Sequence, residues 1–201
     1  MPEPPRPAGD GPVAGDRGLA VVDLQRVVGP GAPWEVPGVE AILSPVAALL
    51  EAFGPASVLT RHRLAPDGRG RWRAFAERWA GLEADPALWE LLEPVAAAVP
   101  TGADVVDKTV YGAYGLAELQ ARLGDPATSE LVVAGCETDC CVAATLYAAV
   151  DDGVAVTLVT DALVGPDPQG HAGLLAGAAR LPEQVRLATA EEAIAVPFAR
   201  G

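Results

Sequence analysis

Lys108 is the only lysine in this chain; the other thirteen basic side chains are arginines. All three cysteines, Cys136, Cys140 and Cys141, fall within six residues of one another. Asp23 closes a short apolar run, Gly18-Leu-Ala-Val-Val-Asp23. A thiol at the start of a helix, with a cation nearby, has its thiolate stabilised by the helix dipole and by the positive charge. A carboxylate held beside an ammonium takes up a thiol proton and later delivers it to a leaving group. Backbone amides at the same helix start hold a developing oxyanion. Such a site needs no histidine, and the chain has only two, His62 and His171.

The elements that must position these groups are legible as an alternation of strands and helices. Apolar runs predict strands over 18–23, 57–60, 104–108, 130–135, 154–160 and 184–188. Helical patterns lie over 39–53, 86–92, 115–123, 139–152 and 169–181. Strands of continuous apolar character separated by helices predict an α/β fold, a three-layer α/β/α sandwich around a mostly parallel six-stranded sheet, Rossmann-like and in one domain. In open sheets of this kind ligands bind beyond the carboxyl ends of the strands. Strand one ends at Asp23, strand two runs into Arg61-His62, strand three ends at Lys108, and strand four leads through Cys136 to Cys140-Cys141. The acid, the lysine and a thiol are therefore expected at one edge of the sheet.

Composition narrows the partners. At 201 residues the chain suits one domain, residues 17–201, preceded by a Pro/Gly-rich flexible tail over 1–16. Half the residues are apolar, which excludes wholesale disorder, and a net charge of −13 argues against nucleic acid or an anionic membrane as the main partner. A small-molecule substrate is expected. The Cys141–Val150 stretch, taken as the longest apolar run, is half a spanning helix, and no export signal is visible. An odd, clustered set of cysteines is no disulfide framework and fits a reducing cytoplasm. Glycine-rich phosphate-binding fingerprints are missing, which counts against a nucleotide-binding domain.

Three ordered motifs, each at a predicted strand end, carry a resemblance. Val21-Val22-Asp23-Leu-Gln25, Asp107-Lys108-x-x-Tyr111-Gly-Ala-Tyr114 and Gly135-x-x-Thr138-Asp139-x-Cys141-Val142 resemble those of the isochorismatase-like cysteine hydrolases. That superfamily includes nicotinamidases and N-carbamoylsarcosine amidases. Val159-Thr-Asp161-Ala162 and the helix holding His171 fit the same pattern, so the resemblance covers about 18–194. It implies a catalytic Asp23–Lys108–Cys141 triad, with Cys141 rather than Cys140 as the nucleophile because it stands directly before Val142. It also implies a cis peptide joining Cys136 to Glu137, with the backbone amides of Glu137 and Cys141 facing the oxyanion. The implied activity is hydrolysis of an amide-type C–N bond in a small molecule through a thioester. The alternatives are vinyl-ether hydrolysis of the isochorismatase type, against which Cys141 counts, and a non-catalytic binding or scaffold role. A homo-oligomer, dimer or tetramer, is implied as well.

Nicotinamidases of this superfamily bind a metal through an Asp and several His, but here Thr60-Arg61-His62-Arg63 is followed by no histidine before His171. No metal and no other cofactor is expected. Cys136-x-x-x-Cys140-Cys141 likewise lacks the fourth ligand and the paired spacing of a zinc site. Candidates for the substrate pocket are Trp34, Arg61, His62, Trp72, Tyr111 and Tyr114, joined by Phe75; each aromatic could equally be core. Cys136 and Cys140 read as packing residues and His171 as structural. The segment 61–82, with six arginines among Trp72, Phe75 and Trp79, reads as a loop or lid, an attractor of anions, or a subunit contact.

Overall fold

The two faces of β1 (Arg17–Val22) are both fully covered: Leu19 and Val21 join one apolar cluster, Ala20 and Val22 the other. Burial on both faces is why such a strand reads as an unbroken apolar run. The structure, a computed structural model, describes residues 16–198. The expected tail lies, but for Asp16, outside the described residues.

The remaining strands are β2 (Ser57–His62), β3 (Asp104–Lys108), β4 (Glu130–Gly135), β5 (Ala155–Leu163) and β6 (Val185–Ala188). They form one sheet in the order β3-β2-β1-β4-β5-β6, and every pairing is parallel. Right-handed crossovers build such a sheet outward in both directions from β1, so the order reverses between β1 and β4. Beyond the carboxyl ends of those two strands the connections diverge and leave a crevice.

Against one face pack α1 (Leu43–Phe53), α3 (Glu93–Ala98) and α7 (Ala190–Ala195), whose Val46, Leu50, Val95 and Ala193 share a cluster with Val21 and Val132. Against the other pack α4 (Ala117–Leu123), α5 (Ala143–Asp151) and α6 (Pro168–Ala178), with Leu119, Leu146 and Leu174 clustered on Val22 and Val133. Each fully buried Leu or Val contributes about 1.5–3 kcal/mol. The expected three-layer α/β/α architecture is what the chain adopts, with an entirely parallel sheet.

Several elements differ from the sequence expectation. Helix α7 is absent from it, although Thr189-x-x-Glu192 is a capping-box signature. The Thr189 hydroxyl accepts from the Glu192 amide and the Glu192 carboxylate accepts from the Thr189 amide. The six-residue α3 is also unanticipated, being too short for a periodic pattern to register. The segment 61–82 is no bare loop: it holds α2 (Arg71–Trp79), which lays Phe75, Ala76 and Trp79 against the first cluster. The helix expected from Asp139 begins as a π-helical turn, Thr138–Val142, before α5. The helical stretch Val39–Ala56, 18 residues at mean hydropathy 1.4, exceeds the Cys141–Val150 run and is long and apolar enough to span a membrane by those measures. Val46, Leu49, Leu50 and Phe53 of that stretch nevertheless pack into the core.

Candidate active site

Asp23 is the first residue beyond β1 and the one non-glycine residue with positive φ (51°) among those described. Asp tolerates the left-handed region better than most residues, and the turn aims its side chain back across the strand ends. The carboxylate is buried and held on two sides. Thr60 of β2 donates its hydroxyl to Asp23 Oδ1 at 2.7 Å and accepts from the Asp23 amide at 3.2 Å. Lys108, at the end of β3, brings Nζ to 2.6 Å from Oδ2, at an angle outside that of a hydrogen bond. Nζ also donates to the Val110 carbonyl at 3.0 Å. The Lys108 side chain is only 1% exposed. A buried pair of this kind is tolerable because each charge neutralises the other and gains further hydrogen bonds.

The third group comes from β4. Val22 and Gly135 are register partners, and Gly135 has φ of 108°. A Cβ there would stand 2.2 Å from the Val22 carbonyl oxygen, so only glycine lets β4 run this close to β1. The chain then passes through Cys136, whose amide donates to the Val22 carbonyl, and a cis peptide joins Cys136 to Glu137. In the π-helical turn the Val142 amide donates to the Glu137 carbonyl, and Thr145 donates its hydroxyl to the Cys141 carbonyl at 2.7 Å. Cys141 is thereby fixed at the start of α5, nearly buried. The amides of Glu137 and Cys141 meet no acceptor outside the turn among the described residues.

These groups meet at a cavity of about 300 Å³. Asp23, Cys136, Glu137, Cys140 and Cys141 line one side of it. The Cys140 thiol beside it, burial and the Asp23 carboxylate together push the Cys141 thiol well up, with Lys108 pulling the other way. Cys141 therefore rests as a thiol, not as the free thiolate that a cation and a helix start by themselves favour. Cys136, read as packing, lies both in the core and at the cavity, and its thiol donates to the Asp23 carbonyl at 3.4 Å. Burial, then the Asp23 charge, raises its pKa as well.

Opposite stand Trp34, His62, Phe75, Trp79 and Tyr111. Tyr111 stacks on His62 at 6.2 Å between ring centroids, and Trp34 meets Trp79 edge-on at 5.4 Å. Burial, helped by the Lys108 ammonium, lowers the His62 imidazole to about 4, so the ring is neutral at neutral pH. Gln25 locks this side: its side chain donates to the carbonyls of His62 and Trp89 and accepts from the His62 amide at 2.7 Å. Sequence reasoning passed over Gln25, Thr60, Trp79 and Glu35 as site residues. A polar residue two positions past a buried strand, and a hydroxyl on its neighbour, were the available signals for the first two.

Three expected pocket residues lie elsewhere. Arg61 sits beside Asp107 in the β2–β3 register and pairs with Asp107 and Glu90, both at 2.7 Å, because successive strand residues point to opposite sides and His62 takes the inward one. Tyr114 sends its hydroxyl to Asp152 at 2.5 Å and packs among the second cluster. Trp72 stands behind the wall, edge-on to Tyr111 at 4.7 Å. The arginine-rich segment presents no arginine to the cavity, and Arg78 lies over the Trp79 ring at 5.0 Å. His171 accepts from or donates to Thr138 through Nδ1 at 2.9 Å. No three His, Cys, Asp or Glu side chains converge as a metal site among the described residues.

Residues 17–192 match the model of the isochorismatase domain. No curated protein matches the sequence significantly. Among solved structures, a cysteine hydrolase from Pseudomonas syringae is similar at TM-score 0.73 and 22% identity, over 94% of this chain and 96% of that one. A zinc complex of the pyrazinamidase of Pyrococcus horikoshii is similar at 0.68 and 21%, over 87% and 99%. The N-carbamoylsarcosine amidase of Thermoplasma acidophilum is similar at 0.68 and 19%, over 88% and 97%. At such identities the likeness is one of fold.

Proposed function

The chain belongs to the isochorismatase domain family, and from that premise we propose that it is a cysteine hydrolase of a small molecule, cleaving an amide-type C–N bond through a thioester. One observation carries this reading: Asp23, ion-paired to the buried Lys108 at 2.6 Å, and Cys141 line the same cavity at the carboxyl ends of β1 and β4. Such an arrangement supplies base, countercharge and nucleophile together.

In the first half Cys141 gives its proton to Asp23, and Sγ attacks the carbonyl carbon. The new C–S bond places the negative charge on oxygen, where the amides of Glu137 and Cys141 donate to it; one such donor is typically worth about 3–4 kcal/mol of barrier. The C–N bond then breaks, and the proton held by Asp23 leaves with the amine or ammonia. In the second half Asp23 takes a proton from water, the C–O bond forms, the C–S bond breaks, and the proton returns to Sγ. The sum is amide plus water to carboxylic acid plus amine.

Asp23 Oδ1 accepts from Thr60 and Oδ2 stands 2.6 Å from Lys108 Nζ, so both carboxylate oxygens are positioned before the proton moves. Lys108 sets its positive charge beside Asp23 in a buried site and offsets the charge of the thiolate. A compact ammonium suits that place better than the wide planar fork of Arg.

Release of ammonia or amine over a panel of amides, ureides and lactams tests the reading, with intact mass to trap the acyl-enzyme. Turnover that vanishes in Cys141→Ala together with the adduct supports it. Turnover that survives in Cys141→Ala overturns the thioester route. No product and no adduct across the panel favours the non-catalytic role.

A further inference from the structure

The charges around the cavity are one-sided. Asp23, Glu35 and Glu137 line it, and among the described residues no lysine or arginine does. Lys108 is not free to meet a substrate carboxylate, since its buried Nζ is taken by Asp23 and the Val110 carbonyl. Arg61 is spent on Asp107 and Glu90, and Arg78 lies on Trp79. Trp34, Phe75, Trp79 and Tyr111 stand around neutral His62 in the wall, beside the aliphatic Val27 and Val28.

We propose that this cavity selects a substrate bearing a cationic group, an ammonium or amidinium on a flat apolar frame, and rejects carboxylate-bearing analogues. That the substrate is an amide rests on the hydrolase reading above; the charge preference rests only on the wall. Aromatic faces attract a cation through their quadrupoles, most strongly where water is excluded. The Glu137 carboxylate has no ion pair or hydrogen bond among the described residues. Burial, then Asp139 and Asp23, push its pKa up. A cation beside it removes that penalty, whereas a carboxylate adds another negative charge to a partly desolvated site whose unpartnered donors are neutral N–H groups, with no cation to balance it. Glu35 faces the same space from the rim, tied by the Gly31 amide at 3.1 Å through one oxygen and leaving the other free. The overall charge of −13 draws cations toward the molecule.

The test compares benzamide, para-(aminomethyl)benzamide and para-carbamoylbenzoate as substrates of the wild-type protein. Alongside, calorimetry follows benzylammonium and benzoate binding to Cys141→Ala. The cationic amide is expected to exceed the anionic one by about tenfold or more in kcat/KM, and benzylammonium to bind more tightly than benzoate by a similar factor. Glu137→Gln and Glu35→Gln are each expected to shrink the cation-to-neutral ratio. Benzoate binding as tightly as benzylammonium, no binding of either, or an anionic amide turned over as well as the cationic one overturns the proposal. Preferential benzylammonium binding without turnover of any amide upholds the ligand class and rejects the amidase reading instead.

Discussion

Thr60 Oγ1 and Asp23 exchange two hydrogen bonds, the hydroxyl donating to Oδ1 at 2.7 Å and accepting from the amide at 3.2 Å. One side chain on β2 thus fixes both the backbone turn and the carboxylate plane of the residue assigned as base, without facing the cavity itself. Thr60→Val keeps the shape and removes both bonds. Leaving a buried acceptor unmet costs about 1–3 kcal/mol. The expected outcome is a lower denaturation midpoint and kcat reduced by about tenfold or more, with KM little changed and Thr60→Ser restoring most of the loss. A KM increase with kcat intact would place Thr60 in substrate binding instead.

Because Asp23 contributes to holding the Cys141 proton in place, removing its charge should separate nucleophilicity from turnover. In Asp23→Asn the thiol pKa falls, with Lys108 left unneutralised beside it. In a Cys140→Ser background, iodoacetamide should therefore alkylate Cys141 faster at mildly alkaline pH in Asp23→Asn than in the parent, while turnover is lost. Mass spectrometry of the labelled protein reads the first effect and the ammonia assay the second. If alkylation slows along with turnover, Asp23 is not raising the thiol pKa.

His62 links stability to pH. Its folded value of about 4 lies below the ordinary imidazole value of 6.5. Between those values the unfolded chain binds a proton that the folded chain does not, so this contribution is complete above pH 6.5 and is lost as pH falls toward 4. Its size is on the order of 3 kcal/mol. Urea unfolding at several pH values should show wild type losing more stability than His62→Gln between pH 7 and 4. Parallel curves for the two proteins would mean that the imidazole is not held neutral.

Arg61→Ala should leave turnover of any accepted amide within about twofold of wild type and lower stability by no more than about 1 kcal/mol, as befits a partly exposed ion pair. The kinetic assay and a urea midpoint together check this. A large KM increase would put the guanidinium back at the substrate.

The sequence by itself determined the sheet and the members of the site that stand at strand ends. A strand buried on both faces must be apolar throughout, so its polar terminus is conspicuous; Asp23, Lys108 and the cysteines after Gly135 were visible for that reason. The periodic helices α1, α4, α5 and α6 were legible too, because their apolar faces repeat over several turns. Tertiary structure decided the rest. Whether His62 or Arg61 faced the cavity depended on the register of β2 against β3, since one residue of slip exchanges the two sides of a strand. Whether an aromatic residue became wall or core depended on how α2 settled over the sheet: Phe75 and Trp79 reached the cavity, Trp72 stopped behind Tyr111, and Tyr114 turned to Asp152. The protonation of Cys141 was likewise out of reach, because it depends on burial and on the Asp23 carboxylate, which stands more than a hundred residues earlier in the chain. Strand ends are fixed by local hydrophobic patterning; pocket walls and pKa values arise from contacts between segments whose separation along the chain says nothing of their distance in space.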